Sequence, residues 1–200
     1  MTPDDLIALT FRPGPGRHVG KTFVDGQHVE TLTDLPPLRN GLLFVGLNPS
    51  PDSVAAGHYH QGQLGQTFWR RLMTAGILPP ETPGETADDA LVAAGHGITD
   101  LLKVPAARDD VTDAALAAGV GPLWQKIAIW RPAAVMFIDK RAADAAAGRP
   151  LAEPWGQLVG VALAGRPCFL MPDPYAATES VDAGLNLLRN LAASLPADRS

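Results

Sequence analysis

A single cysteine, Cys168, stands in the whole 200-residue chain. That excludes an internal disulfide, a cysteine-ligated iron–sulfur cluster and a zinc ribbon. Charge is thin as well: 18% of residues are charged and the net charge is −5, whereas nucleic-acid-binding proteins usually carry a basic face. Basic residues do gather at Arg12, Arg17 and Lys21 and at Arg70-Arg71, although scattered solvated charge explains each pair equally well. No apolar run reaches membrane-spanning length and no signal peptide is read at the N-terminus, so no membrane partner and a cytoplasmic location are expected. The sequence has no Gly-x-Gly-x-x-Gly or Walker loop and no Gly-x-Ser-x-Gly elbow, so nucleotide cofactors and a serine nucleophile are not indicated. Cys168 lies inside an apolar run and reads as core.

What the chain does have is a hydrophobic content of 46%, enough in 200 residues to bury one proper core. Residues 1–38 read as an N-terminal arm, with a short amphipathic segment at Leu6 to Leu9. The alternation Arg12-Pro13-Gly14-Pro15-Gly16-Arg17 after it forbids a helix. Residues 39–200 read as a single domain. Continuous apolar runs at Leu42 to Val45, Ala133 to Ile138 and Pro167 to Met171 predict buried strands, with a short strand or turn at His96 to Leu102. Helices are expected at Phe68 to Ala75, Glu85 to Ala94, Lys140 to Ala147 and Asp182 to Leu195. Another is expected at Thr112 to Trp130, split by Gly119, Gly121 and Pro122. This alternation predicts an α/β fold, a three-layer α/β/α sandwich with a mainly parallel central sheet.

The most informative stretch is Leu42 to Trp69. An apolar strand stops at Gly46-Leu47-Asn48-Pro49-Ser50 and spills into about twenty polar, Gly-rich residues without periodicity. Open α/β domains build active sites in such loops. A second strand breaks in the same way at Pro172-Asp173-Pro174-Tyr175.

Gly46-Leu47-Asn48-Pro49, Ala56-Gly57-His58-Tyr59 and the helix start Phe68-Trp69 resemble landmarks of the mismatch-specific uracil/thymine-DNA glycosylases of the uracil-DNA glycosylase superfamily. Gly97-Ile98-Thr99-Asp100-Leu101, Lys140-Arg141-Ala142, Trp155-Gly156 and Met171-Pro172-Asp173-Pro174 follow in the family's order. The resemblance covers roughly residues 34 to 195. It implies a monofunctional glycosylase that needs no cofactor. Its partner would be double-stranded DNA carrying a mispaired or damaged base, by default uracil or thymine opposite guanine, and the protein is expected to be a monomer.

Such an enzyme flips the nucleotide out of the duplex, positions a water at the sugar and stabilises charge on the departing base. By the resemblance, Asn48 holds the water. Backbone N–H groups at Gly46 and Leu47 hold the base carbonyl, Ser53 lines the pocket, and Tyr59 or His60 stacks on the base. An Asn-Pro turn, a packed loop aromatic and a helix-capping Ser53 are the ordinary alternatives. His58 and His60 could suggest metal ligation, but no carboxylate or cysteine cluster beside them completes a site. In the second motif Asp173 is a candidate catalytic or base-reading group, or simply a turn residue between two prolines. Tyr175, Ala176 and Thr178 would meet the DNA.

The chain also departs from the family. Gln66-Thr67-Phe68-Trp69 replaces the usual Asn-Arg-Phe-Trp, and Glu179 stands where a basic residue is expected, a change that repels phosphate. Two other functions therefore stay open: a non-catalytic DNA- or base-binding module, and an N-glycosidic hydrolase of free nucleosides or nucleotides. Duplex binding without base release would select the first. Turnover of a free nucleoside with weak duplex affinity would select the second.

Overall fold

The computed structural model describes residues 11–24 and 26–195; the amphipathic segment expected at Leu6 to Leu9 lies outside them. A hairpin of β1 (Val19–Val24) and β2 (Gln27–Leu32) comes first. The central sheet holds β3 (Leu42–Gly46), β4 (Gly97–Asp100), β5 (Ala134–Phe137), β6 (Gly156–Leu163) and β7 (Arg166–Leu170). Its order is β4-β3-β5-β7-β6, parallel throughout except for the antiparallel edge strand β6.

Among the described residues six α-helices cover the sheet: α1 (Pro51–Ala56), α2 (Gly62–Thr74), α3 (Ala87–Ala93), α4 (Asp113–Trp130), α5 (Lys140–Ala147) and α6 (Thr178–Ala193). Side chains alternate across each strand, so the two sheet faces bury different cores. Leu42, Phe44, Ile98, Met136 and Phe169 pack with Trp69, Leu72, Leu91 and Leu188 of α2, α3 and α6. Leu43, Val45, Val135, Phe137 and Leu170 pack with Leu116, Leu123, Ile127 and Ala142 of α4 and α5. The expected three-layer α/β/α arrangement is what the chain adopts.

α1 is a helix not among those expected, α6 starts four residues before Asp182, and two expected helices differ more. The helix expected in two pieces is the single α4, capped by the Thr112 side chain accepting from the Ala115 N–H, with Pro122 inside it. Pro122 removes one hydrogen bond, but Leu116, Leu123, Ile127 and Trp130 on either side are buried and hold the segment to the sheet. Gly119 permits this close seat, since a Cβ there would come within 2.7 Å of the Leu101 carbonyl oxygen. The second is α2, which starts six residues before Phe68. Gly65 lets its first turn pass the His60 backbone, where a Cβ would collide.

Between hairpin and sheet, Leu32 and Leu35 are fully buried, and Leu35 pairs with Ile98. Asp34, between them in the chain, enters an ion triad, 3.0 Å from Lys103 Nζ and 2.7 Å from Lys126 Nζ, and accepts a hydrogen bond from Thr99. Burial alone would raise the Asp34 pKa, but the two lysines and the hydrogen bonds outweigh it and hold the carboxyl well below its ordinary range. Asp34→Asn strands two lysines on one side of the sheet and is expected to destabilise the fold by about 3–5 kcal/mol in urea melts at pH 7. A loss below about 1 kcal/mol would mean that solvent already screens the triad.

Candidate active site

The parallel strands β3, β4, β5 and β7 all point their carboxyl ends to one edge of the sheet, where open α/β folds place their ligand crevices. A cleft of about 760 Å³ opens there. Gly46, Leu47, Asn48, Ser53, Tyr59, His60, Asp173 and Tyr175 all line it, so both strand-end motifs meet in one place. Ala176 and Thr178 do not line it: Ala176 N–H closes a turn on the Asp173 carbonyl, and Thr178 opens α6.

Asn48 leaves the end of β3 and is half-buried. Its Nδ2 donates to the carbonyls of Ala106 at 2.8 Å and Pro49 at 3.2 Å. Both amide hydrogens are thereby engaged and the carboxamide is oriented. Oδ1 has no protein donor among the described residues, which leaves one fixed acceptor in the cleft.

The loop after Asn48 is less irregular than its composition suggests. Ser50 caps α1, accepting from the Ser53 N–H at 3.2 Å, and Pro51 occupies the first helical turn. The cap is therefore Ser50 and not Ser53. Ser53 is 3% exposed, and its hydroxyl accepts from the Gln61 N–H and from Ser50 Oγ, tying both ends of the loop together.

Tyr59 is almost wholly buried; its hydroxyl donates to the Thr33 carbonyl at 2.8 Å and accepts from Lys103 Nζ at 3.0 Å. Burial, with Asp100, Asp34 and Asp88 adding to it, raises the phenol pKa well above its ordinary value. His60 sits at φ 52°, a left-handed conformation unusual for a side-chain-bearing residue. Its ring packs 4.6 Å from Phe68 and 5.9 Å from Trp69. Burial lowers the imidazole pKa to about 4, and Nε2 is buried without a partner. A neutral ring with one unused polar atom is a wall that can also read an edge.

A further cleft residue is absent from the sequence reading. Asp100, at the carboxyl end of β4, is 2% exposed. It lies across Gly46, where a Cβ would fall 2.2 Å from Asp100 Oδ1. Its Oδ2 is buried and unpartnered. Burial pushes its pKa up to about 6, Asp34 adds to the rise, and Lys103 and Lys126 oppose it. The motif Gly-Ile-Thr-Asp is visible in the chain, but only the parallel register Gly46↔Asp100 puts the carboxyl against Gly46 in the cleft that Asn48 also lines.

The second motif forms the opposite rim. Asp173 is exposed, and its Oδ1 accepts from the Tyr175 N–H at 2.8 Å, the geometry of a turn aspartate. Arg71 of α2 braces this rim by donating to the carbonyls of Pro172 at 2.6 Å and Asp173 at 3.0 Å. Tyr175 is 81% exposed at the tip. Across the cleft Arg108 is bonded to Asp139 at 2.8 Å, and that bond raises its pKa further. No group of metal-ligating side chains lies in the cleft among the described residues; the one such group, His18, His58, Asp88 and Asp89, does not line it.

Comparison with known families finds that the model of the Uracil DNA glycosylase superfamily matches residues 33–183, from just after β2 into α6. Comparison with curated proteins finds no match.

Proposed function

The chain belongs to the uracil DNA glycosylase superfamily, whose activity is in general that of DNA glycosylases, and on that premise we propose that it hydrolyses the N-glycosidic bond of a mispaired or modified base flipped from duplex DNA. The observation that carries the proposal is the anchoring of Asn48: two backbone carbonyls take its amide hydrogens and leave Oδ1 as a fixed acceptor in the cleft. An attacking water donates one hydrogen to Oδ1, which turns a lone pair toward the anomeric carbon. As the bond to the base lengthens, the sugar gains positive and the base negative charge. The water oxygen bonds to the anomeric carbon as the N-glycosidic bond breaks, and the proton it sheds ends on the departing base or in solvent, since a carboxamide does not hold it. The Leu47 N–H, just past the end of β3, stabilises the charge on the base, whereas the Gly46 N–H is held in the ladder with β4.

His60 forms the wall against the flipped base, backed by Phe68. Tyr59 supports it from the interior through its hydroxyl contacts with Thr33 and Lys103. Above pH 6 Asp100 is an acceptor, suited to the ring N–H of uracil or thymine or to an exocyclic amine. That assignment transfers base reading from Asp173 to Asp100 and leaves Asp173 as the turn that presents Tyr175. Tyr175 enters the stack vacated by the base, and Arg108 meets phosphate at the rim.

The test is incubation of the purified chain with labelled duplexes carrying uracil, thymine, hypoxanthine or 5-substituted cytosines opposite each normal base, followed by alkali to break any abasic site. Strand breakage at uracil or thymine opposite guanine is the expected result. Binding of these duplexes without breakage of any would replace the proposal with a non-catalytic binding module.

A further inference from the structure

We propose that His18, His58, Asp88 and Asp89 bind a divalent transition-metal ion of the zinc type, clamping the N-terminal segment to the domain behind the cleft. The four residues come from three separate places: the entry to β1, the loop between α1 and α2, and the first turn of α3. One ligand atom from each lies within 4.8 Å of every other. His18 Nε2 is 2.8 Å from Asp89 Oδ1, and His58 Nδ1 is 2.9 Å from Asp88 Oδ1. A tetrahedron with metal–ligand bonds of about 2.0–2.1 Å has edges of roughly 3.3 Å, so these separations bracket the required geometry. Two imidazoles and two carboxylates form a donor set suited to zinc and its first-row neighbours.

Charge and outer contacts favour an ion over two isolated pairs. Asp88 is fully buried, His18 is 3% exposed, and among the described residues neither carboxylate has a Lys or Arg partner. Arg12 and Arg17, on the same segment as His18, donate to the carbonyls of Val92 and Ala56 instead. With neutral imidazoles the cluster carries two negative charges, which one divalent ion cancels. The backbone orients both carboxylates, as in established metal sites: Tyr59 N–H donates to Asp88 Oδ2 at 2.8 Å, and Gly16 N–H reaches both Asp89 oxygens at 3.2 Å. His18 Nδ1 is buried and unpartnered, so among the described residues the cluster supplies the one side-chain hydrogen bond to this ring.

Nothing adjacent to His58 and His60 in the chain completes a metal site; folding supplies the missing ligands from 40 residues before His58 and 30 after it. His60 takes no part. The ion's place is structural, since His58 immediately precedes Tyr59 and His60 and its coordination fixes the backbone that presents them.

The inference stands apart from the glycosylase reading, and its test uses no DNA. The untagged full-length chain, stripped with chelator, is titrated with Zn²⁺ by calorimetry and with Co²⁺ by visible absorption. One ion per chain, the d–d bands of four-coordinate cobalt, and a Tm rise of about 5–10 °C at a hundredfold excess over Kd are expected. Asp89→Asn and His18→Gln should each weaken binding at least tenfold, whereas His28→Gln on exposed β2 should not. Two variants guard against one that merely misfolds, and circular dichroism checks each. Absence of the cobalt bands and of any zinc-dependent Tm shift in the wild-type chain would overturn the proposal. Equal binding by the wild type and both ligand variants would also overturn it.

Discussion

Asn48→Ala is expected to slow base release about a thousandfold under single-turnover conditions while changing the Kd for the same duplex by less than about threefold. The size follows from the lost interaction: positioning and partial activation of a nucleophile by one side chain are worth roughly 10²–10⁴ in rate. The kinetic split follows from geometry, because Asn48 spends its donors on Ala106 and Pro49 and has only Oδ1 to offer the reaction. A variant that lost affinity and rate together would show that the side chain shapes the loop instead. Asn48→Asp separates the cases further. It keeps an acceptor for water but loses both donors that anchor the group, so partial activity with a looser pocket is expected.

Asp100→Asn is expected to stabilise the protein at pH 7.5 by up to about 3 kcal/mol and to raise Tm by roughly 6–12 °C. The folded-state pKa of Asp100 is about 6, against an ordinary value of 3.8. The folded chain therefore holds this proton more tightly than the unfolded chain. Its contribution is fully favourable below pH 4, is lost progressively between about 4 and 6, and stays lost above. Asparagine does not ionise, so the gap between variant and wild type should be small at pH 4 and open across that window. Asp34, held in its ionised form by Lys103 and Lys126 well below pH 4, titrates outside the window and leaves the comparison clean. Parallel stability curves from pH 4 to 8 would refute the assignment. Base release should move the opposite way: its rise through pH 6 in the wild type should flatten in the variant. A stability cost retained at the site of chemistry is a familiar trade in enzymes.

The fold was largely legible because its central strands are buried on both faces. Leu42 to Val45, Ala133 to Ile138 and Pro167 to Met171 are apolar at every position, and no surface element demands such runs. β1, β2 and β6 carry no such signal, since they are edge or two-stranded elements with alternating, partly exposed residues. α1 was legible in principle, for Ser50-Pro51-Asp52 is a capped helix start; its six residues are too few to show periodicity. At the site, Asn48 and the second motif could be read because each ends a strand in sequence. Asp100, the orientation of His60 and the His18–His58–Asp88–Asp89 cluster could not. Each depends on which strands and helices become neighbours, and no local pattern of residues records that.

The strand order has a consequence for how the molecule assembles. β6 and β7 join through a two-residue turn at Ala164-Gly165, both at positive φ, so that edge pairs at once from local contacts. Every other neighbour pair in the central sheet is parallel and must wait for a crossover, with 50 residues between β3 and β4 and 87 between β3 and β5. Loop-closure entropy makes such pairings slow and late. Asn48 and Asp100 line one cleft only when β3 and β4 are in register, so the cleft is among the last features to form. A full chain refolding from the denatured state therefore holds its edge hairpin, and much of its helical content, before the cleft takes shape.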